Sequence, residues 1–285
     1  MTTRGSLTRS MSSRVRGPAQ RGSLQLMLVK KRKGRSPIKA TPRRFPGQSL
    51  EEEKGRLTDD ALAHVLTCLV AVGLAVYEWI KSLQESPPQP WALTVLALAI
   101  CAWFGPKAVR LMRKVKSVNL GLKGEVYVGQ KLEMLRERGF KVLHDIPGDG
   151  WNVDHLLIGE KGVFAIETKT YWKNSPNSDE VTYDGNEVRV AGFVPERDPV
   201  VQAKAVAGAI RGIIKERTGK DVYVRPVLLY PGWFTKTQPF GAEVWVLNEN
   251  ALPGFLEWEQ PKMIREDVER ICACLEDHVR ARSGA

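Results

Sequence analysis

Five residues of this chain have types and spacing suited to chemistry: Glu125, Asp154, Glu167, Lys169 and Gln202. They fall in the segments LKGEVYVGQKL, NVDHLLIG, GVFAIETKT and PVVQAKAVAGAI. Side chains alternate between the faces of a strand, so Glu167 and Lys169 emerge together on the face they share with Val163 and Ala165. A short turn bounded by Gly159 and Gly162 precedes that strand. Pairing back across this turn puts Asp154 opposite Glu167, whereas a slip of one residue would send Asp154 to the other face. Two carboxylates brought together in this way repel unless a cation lies between them. Hard divalent ions such as Mg2+ or Mn2+ take oxygen donors, polarise a phosphate and make a bound water more acidic. A neighbouring lysine orients or deprotonates that water and offsets the charge that grows on phosphorus. This is the layout of a metal-dependent phosphodiesterase centre. Asp154 and Glu167 are its metal ligands, Glu125 reaches the metal through a water, and Gln202 holds the nucleophile or a phosphate oxygen. A bare Glu-x-Lys is more often a pair of solvated charges. Here an apolar strand leads into it, an Asp occupies the matched register, and a Gly-x-x-Gly-Glu helix precedes both.

The elements that must position these residues are legible from residue 117 onward, where the composition becomes that of an α/β domain. Residues 125–138 have helical spacing through Val126, Val128, Leu132 and Leu135, and Gly139 closes the helix. Residues 140–146, 153–158 and 163–168 read as strands. An Asp184-Gly185 turn joins a further strand pair. Residues 199–217 read as a helix, 222–230 and 243–247 as later strands, and 261–282 as a closing helix. His155 falls on the strand face opposite Asp154, where it packs. His144 and Asp145 end a strand as a turn or support the site. Tyr171, Trp172 and Lys173 follow the catalytic strand, where aromatics beside cations stack bases or simply rim the core. Trp233 and Phe234 are a weaker version of the same pattern. Arg211, Lys215 and Arg217 recur on the Gln202 helix, where they meet phosphates or solvent.

The order GLKGE, VLHD, NVDHLLIGEKGVFAIETKT and then an Asp-Pro-x-x-Gln helix resembles the nuclease-related domain, a family of the PD-(D/E)xK nuclease superfamily. The resemblance runs from about residue 120 to 212. It implies an α/β restriction-endonuclease-like core, a central mixed sheet flanked by helices, with Mg2+-dependent cleavage of nucleic acid, DNA ahead of RNA. On it Asp154 and Glu167 match the metal-binding acids, Lys169 the catalytic lysine, Glu125 the helical glutamate and Gln202 the later glutamine. Val153 stands where the superfamily often has Pro, and Thr170 where the family often has Asn. Neither change removes a catalytic atom.

The remaining chain is of another kind. Residues 1–50 hold thirteen Lys or Arg and no acid, so the net charge of +11 belongs to this arm and residues 51–285 sum to −2. The arm is rich in Arg, Ser, Gly and Pro and buries too little apolar surface to order itself, so residues 1–56 are expected to be a disordered basic arm. Its charge suits anionic lipid or nucleic acid. Lys30-Lys31-Arg32-Lys33 and the acid-free start are weak targeting signals beside a plain solvated arm. Residues 61–80 are apolar and span roughly 30 Å as a helix. Residues 91–104 span about 21 Å and need snorkelling flanks or local thinning to cross. Trp79, Trp91 and Trp103 stand at the run ends, where interfacial aromatics collect. Residues 57–116 are therefore expected to form a two-helix transmembrane hairpin, with a buried soluble hairpin as the alternative, and 117–285 the nuclease-related domain. Lysine and arginine flank the pair on its outer ends, which places both termini and the domain on the cytoplasmic side of a bacterial inner membrane. The four cysteines carry neither disulfide nor zinc-knuckle spacing. Two other functions fit the same residues: a catalytically silent nucleic-acid-binding module, or a membrane scaffold that works through its arm.

Overall fold

The computed structural model describes residues 44–83, 90–173, 180–236 and 238–283. Most of the expected basic arm (residues 1–43, with Lys30 to Lys33) and nearly all of the loop between the apolar runs lie outside the described residues. Two long antiparallel helices come first, α1 at Gln48–Ser82 and α2 at Pro90–Glu133. A 3-10 turn at Met134–Arg138 follows, closed by Gly139 at φ 86°. The sheet strands are β1 (Lys141–Pro147), β2 (Asn152–Gly159) and β3 (Gly162–Thr168). Next come β4 (Glu180–Tyr183), β5 (Val188–Val190) and helix α3 (Pro199–Thr218). The chain ends with β6 (Val224–Leu229), β7 (Phe234–Thr235), β8 (Trp245–Leu247), α4 (Leu252–Trp258) and α5 (Arg265–Ser283).

The central sheet is mixed, in the order β1-β2-β3-β6-β8. β1, β2 and β3 are antiparallel neighbours, and β6 and β8 continue parallel to β3. The crossover from β3 to β6 runs through α3. Both faces of the sheet are covered. Leu156, Ile158, Val163 and Ala165 pack against α3 and α5 through Ile210, Ile214, Ile271 and Leu275. Phe164, Ile166, Val227 and Leu229 pack on the other face against Val128 and Leu132 of α2 and Leu252 and Leu256 of α4. A smaller sheet, β5-β4-β7, sits beside the C-terminal ends of these strands, and its Val181, Tyr183 and Val188 share a core with Leu228 and Tyr230. Asp184 and Gly185, the latter at φ 103°, form the expected turn between β4 and β5.

The chain departs from the sequence expectation at two boundaries. Residues 48–56 were expected in a disordered arm, and they form the first turns of α1. Arg44 donates to the Asp145 carboxylate at 2.5 Å, and the Ser49 amide donates to the same oxygen at 3.1 Å. A helix N-terminus whose amides meet a buried carboxylate is favoured by the helix dipole, and Glu51 in the first turn adds to this. The second departure is at residue 117. The second apolar run does not end before the domain helix; α2 passes through residues 116–124 without a break and delivers Glu125 about two turns before its end. α4 was not anticipated, because a seven-residue helix is too short to show a period. The apolar side chains of α1 and α2 find little cover in the chain itself: Leu66 is 57% exposed and Leu98 65%. Trp79 and Trp91 meet edge to face, and the Trp79 indole donates to Thr94. Both helices are long and apolar enough to cross a membrane. A hairpin buried within the described part of this chain is not what forms.

Candidate active site

The register of β2 against β3 brings the acids together. His155 pairs with Ile166 and Leu156 with Ala165, so the next step of the ladder sets Asp154 against Glu167. The Thr168 amide donates to Asp154 Oδ2 at 2.7 Å, tying the two strand ends. Lys169 remains in line because its amide donates to the Leu229 carbonyl at 2.8 Å, extending the parallel β3–β6 ladder by one residue. Its ammonium donates to Glu167 Oε1 at 3.0 Å and to Gln202 Oε1 at 2.9 Å. Gln202 in turn donates through Nε2 to Glu167 Oε1 at 2.5 Å. Gln202 is placed by the start of α3: Asp198 accepts from the Val200 and Val201 amides, and Pro199 occupies the first turn. An aspartate cap followed by proline is a strong helix start, so the Asp-Pro-x-x-Gln spacing puts the glutamine on the first turn, facing the sheet.

Glu125 comes from α2, on the other side of the strand ends. Two glycines let that helix approach. A Cβ on Gly124 would lie 1.9 Å from Thr170 Oγ1, and one on Gly121 would lie 3.2 Å from Leu50 of α1. The Gly-x-x-Gly-Glu pattern is therefore a packing requirement of the helix that carries the glutamate.

Glu125, Asp154 and Glu167 are all buried. Loss of hydration, together with the charges of Asp145 and Glu167, pushes Glu125 up to about 8. Burial, then the charges of Glu167 and Glu125, hold Asp154 well above the usual carboxylate range, against the pull of the Thr168 amide. Burial also raises Glu167, partly opposed by the Lys169 ammonium. Three mutually repelling acids beside one lysine are short of positive charge. Glu167 Oε2 is buried with no hydrogen-bond partner among the described residues, although its other oxygen accepts two bonds. An orphan carboxylate oxygen in an acid-rich pocket fits an oxygen-seeking divalent cation. Among the described residues no three His, Cys, Asp or Glu are grouped closely enough to hold a metal by themselves.

Asp145 is the residue to which the sequence reading gave too little weight. It is fully buried, takes φ 51°, accepts from Arg44, Ser49 and Asn152, and contributes to the repulsion felt by Glu125. A buried Asp after an apolar strand was the available signal; its partner Arg44 had none, since it lies in the basic arm. His155 is buried opposite Asp154 as expected, its Nδ1 2.9 Å from His144 Nδ1, and His144 Nε2 lies 2.8 Å from Glu133. Thr168 Oγ1, Thr170 Oγ1 and Tyr230 OH are further buried atoms without a partner among the described residues. Arg211 and Lys215 are exposed and pair with Asp221, away from the acids. None of the four cysteines forms a disulfide among the described residues.

Fold and site together define a mixed α/β domain with paired buried acids and a lysine at the end of a central strand. Residues 120–231 match the family model described as nuclease-related domain, and the chain carries that domain over this stretch. An uncharacterized protein of Bacillus anthracis is 39% identical over 56 residues, 18% of this chain and 26% of that protein. The chain thus spans about a quarter of the length of that curated relative. The structure of Pyrococcus furiosus SfsA in complex with Ca2+ aligns with 13% identity and a TM-score of 0.21, over 55% of this chain and 53% of that one.

Proposed function

We propose that this chain is a membrane-anchored, divalent-metal-dependent nuclease that hydrolyses phosphodiester bonds of nucleic acid, DNA ahead of RNA, on a restriction-endonuclease-like core. The observation that carries this reading is the single node made by Glu167, Lys169 and Gln202 beside Asp154, with one Glu167 oxygen left unpartnered. Asp154 and Glu167 would hold a Mg2+ or Mn2+ ion, with Glu125 reaching it through water. When bound there, such an ion polarises a phosphate oxygen and neutralises charge at the group under attack. Gln202 and the Thr168 amide fix one oxygen of each acid, so the remaining oxygens keep their direction. Lys169 has its ammonium on Glu167 at 3.0 Å and its side chain partly exposed. From there it can hold an attacking water or meet charge developing on a non-bridging phosphate oxygen. Burial of the acids strengthens every such interaction.

The exposed apolar surfaces of α1 and α2, with Lys107, Arg110 and Arg113 following the second run, support anchoring in a bilayer with the domain on the cytoplasmic side of an inner membrane. The basic arm would then contact anionic lipid or nucleic acid. The test is cleavage of DNA by the full chain in detergent, with Mg2+ or Mn2+. Lys169→Ala and chelation should each abolish it; activity that survives both sinks the proposal. The second reading is a catalytically silent binding module on the same fold. Tight binding without metal-dependent turnover would favour it.

A further inference from the structure

The two aromatic segments weighed separately in the sequence meet just beyond the end of β3. Tyr171, two residues beyond Lys169, stacks on Tyr230 with ring centroids 6.3 Å apart and planes 13° apart. The Lys173 ammonium lies 5.5 Å from the centroid of the Trp233 ring. Each segment then offers one aromatic ring to solvent: Trp172 is 68% exposed and Phe234 60%. The platform beneath them is firm. Trp233 and Tyr230 are buried, the Gly232 amide donates to buried Glu249 at 3.1 Å, and Tyr127 of α2 donates to the other Glu249 oxygen at 3.2 Å. Packing explains Tyr171, Tyr230 and Trp233. It does not explain two large exposed rings on a braced surface, beside Lys169 and Lys173, where strand β3 leaves the site.

Duplex binding draws its strength from many phosphates neutralised by Lys and Arg, and residues 51–285 sum to −2. Stacking on aromatic planes needs no such excess and accepts any unpaired base. We propose that Trp172 and Phe234 form a stacking platform for single-stranded nucleic acid, feeding an unpaired strand, DNA or RNA, toward the acids and Lys169. Binding to the platform is independent of turnover; only the fate of the bound strand rests on the nuclease reading above.

The test uses the full chain in detergent, carrying Lys169→Ala to prevent turnover, with labelled oligo-dT, oligo-U and a duplex of equal length, each about 16 nucleotides. Single strands are expected to bind more tightly than the duplex. Trp172→Ala with Phe234→Ala should weaken single-strand binding at least about ten-fold, and Trp172→Phe should restore most of the loss at its position. Comparable thermal melting of these variants shows that the fold is kept. The proposal is overturned if the duplex binds as well as the single strands, or if the double variant binds them unchanged. Comparing oligo-dT with oligo-U separates DNA from RNA as the source of the strand. Cleavage by the native chain is followed in parallel. Single-strand binding without metal-dependent cleavage upholds the platform and overturns the nuclease reading; cleavage with no strand preference does the reverse.

Discussion

On the proposed reading Glu167 is the residue on which the chemistry turns, because one of its oxygens is saturated by Lys169 and Gln202 and the other has no partner among the described residues. Lys169→Ala removes the one ammonium inside this acidic node, and the loss of a preorganised charge of this kind costs at least about 100-fold in turnover; single-turnover cleavage in Mg2+ measures it. A pH prediction follows from Glu125. Its ordinary carboxyl value is 4.5 and its folded value about 8. Between these the unfolded chain ionises and the folded chain keeps its proton, so stability falls as pH rises through that window. In chelator the melting temperature should therefore drop from about pH 5 to about pH 8, and Glu125→Gln should flatten the drop. Added Mg2+ should restore melting temperature most at the upper end of that window, where the metal-free acids are most strained. The pairing of Asp154 with Glu167 was readable from alternation and turn length, because strand periodicity leaves only two choices of face. The role of Asp145 was not readable. Its φ of 51° and its bond to Arg44, about a hundred residues earlier, are consequences of packing that no local pattern encodes.

Two elements deliver the polar side chains, and each can be tested by its anchor. Helix α3 starts on the Asp198 cap, so Asp198→Ala should cost about 1 kcal/mol of stability. It should also loosen Gln202, lowering turnover in Mg2+ while leaving the fold intact by circular dichroism. Helix α1 starts against Asp145. Arg44→Ala leaves that carboxylate buried with its cationic partner gone, a loss of about 3 kcal/mol in thermal or denaturant unfolding. Asp198-Pro199 and Gln202 were legible as a helix start because capping is a local rule. The start of α1 was not, since Arg44 looks like any other arginine of the basic arm until the sheet supplies its partner.

At the scale of the molecule, α2 joins the second apolar run to Glu125 in one uninterrupted helix. From Phe104 to Glu125 that helix rises ~32 Å, which sets the site well clear of any bilayer that holds the apolar end. Lys114 pairs with Glu53 across the two helices at 2.9 Å along this stretch. A chain cut at residue 117 severs α2 and discards Arg44, Pro46 and the whole of α1. It should unfold at a lower temperature than the full chain, which a melting comparison in detergent checks. In cells the full chain should resist extraction by salt or carbonate and be released by detergent, because the exposed side chains of α1 and α2 present a continuous apolar surface. By itself, the sequence determined which residues face one another across β2 and β3, the apolar character of both N-terminal helices and the family pattern of the site. These depend on period, capping and composition, which act within a few residues. The tertiary structure alone decided that Gln202 reaches Glu167, that Asp145 holds Arg44, that the two aromatic segments share one surface and that the second apolar run and the domain share one helix. Those outcomes depend on which distant surfaces bury one another, and that is settled only when the whole chain packs.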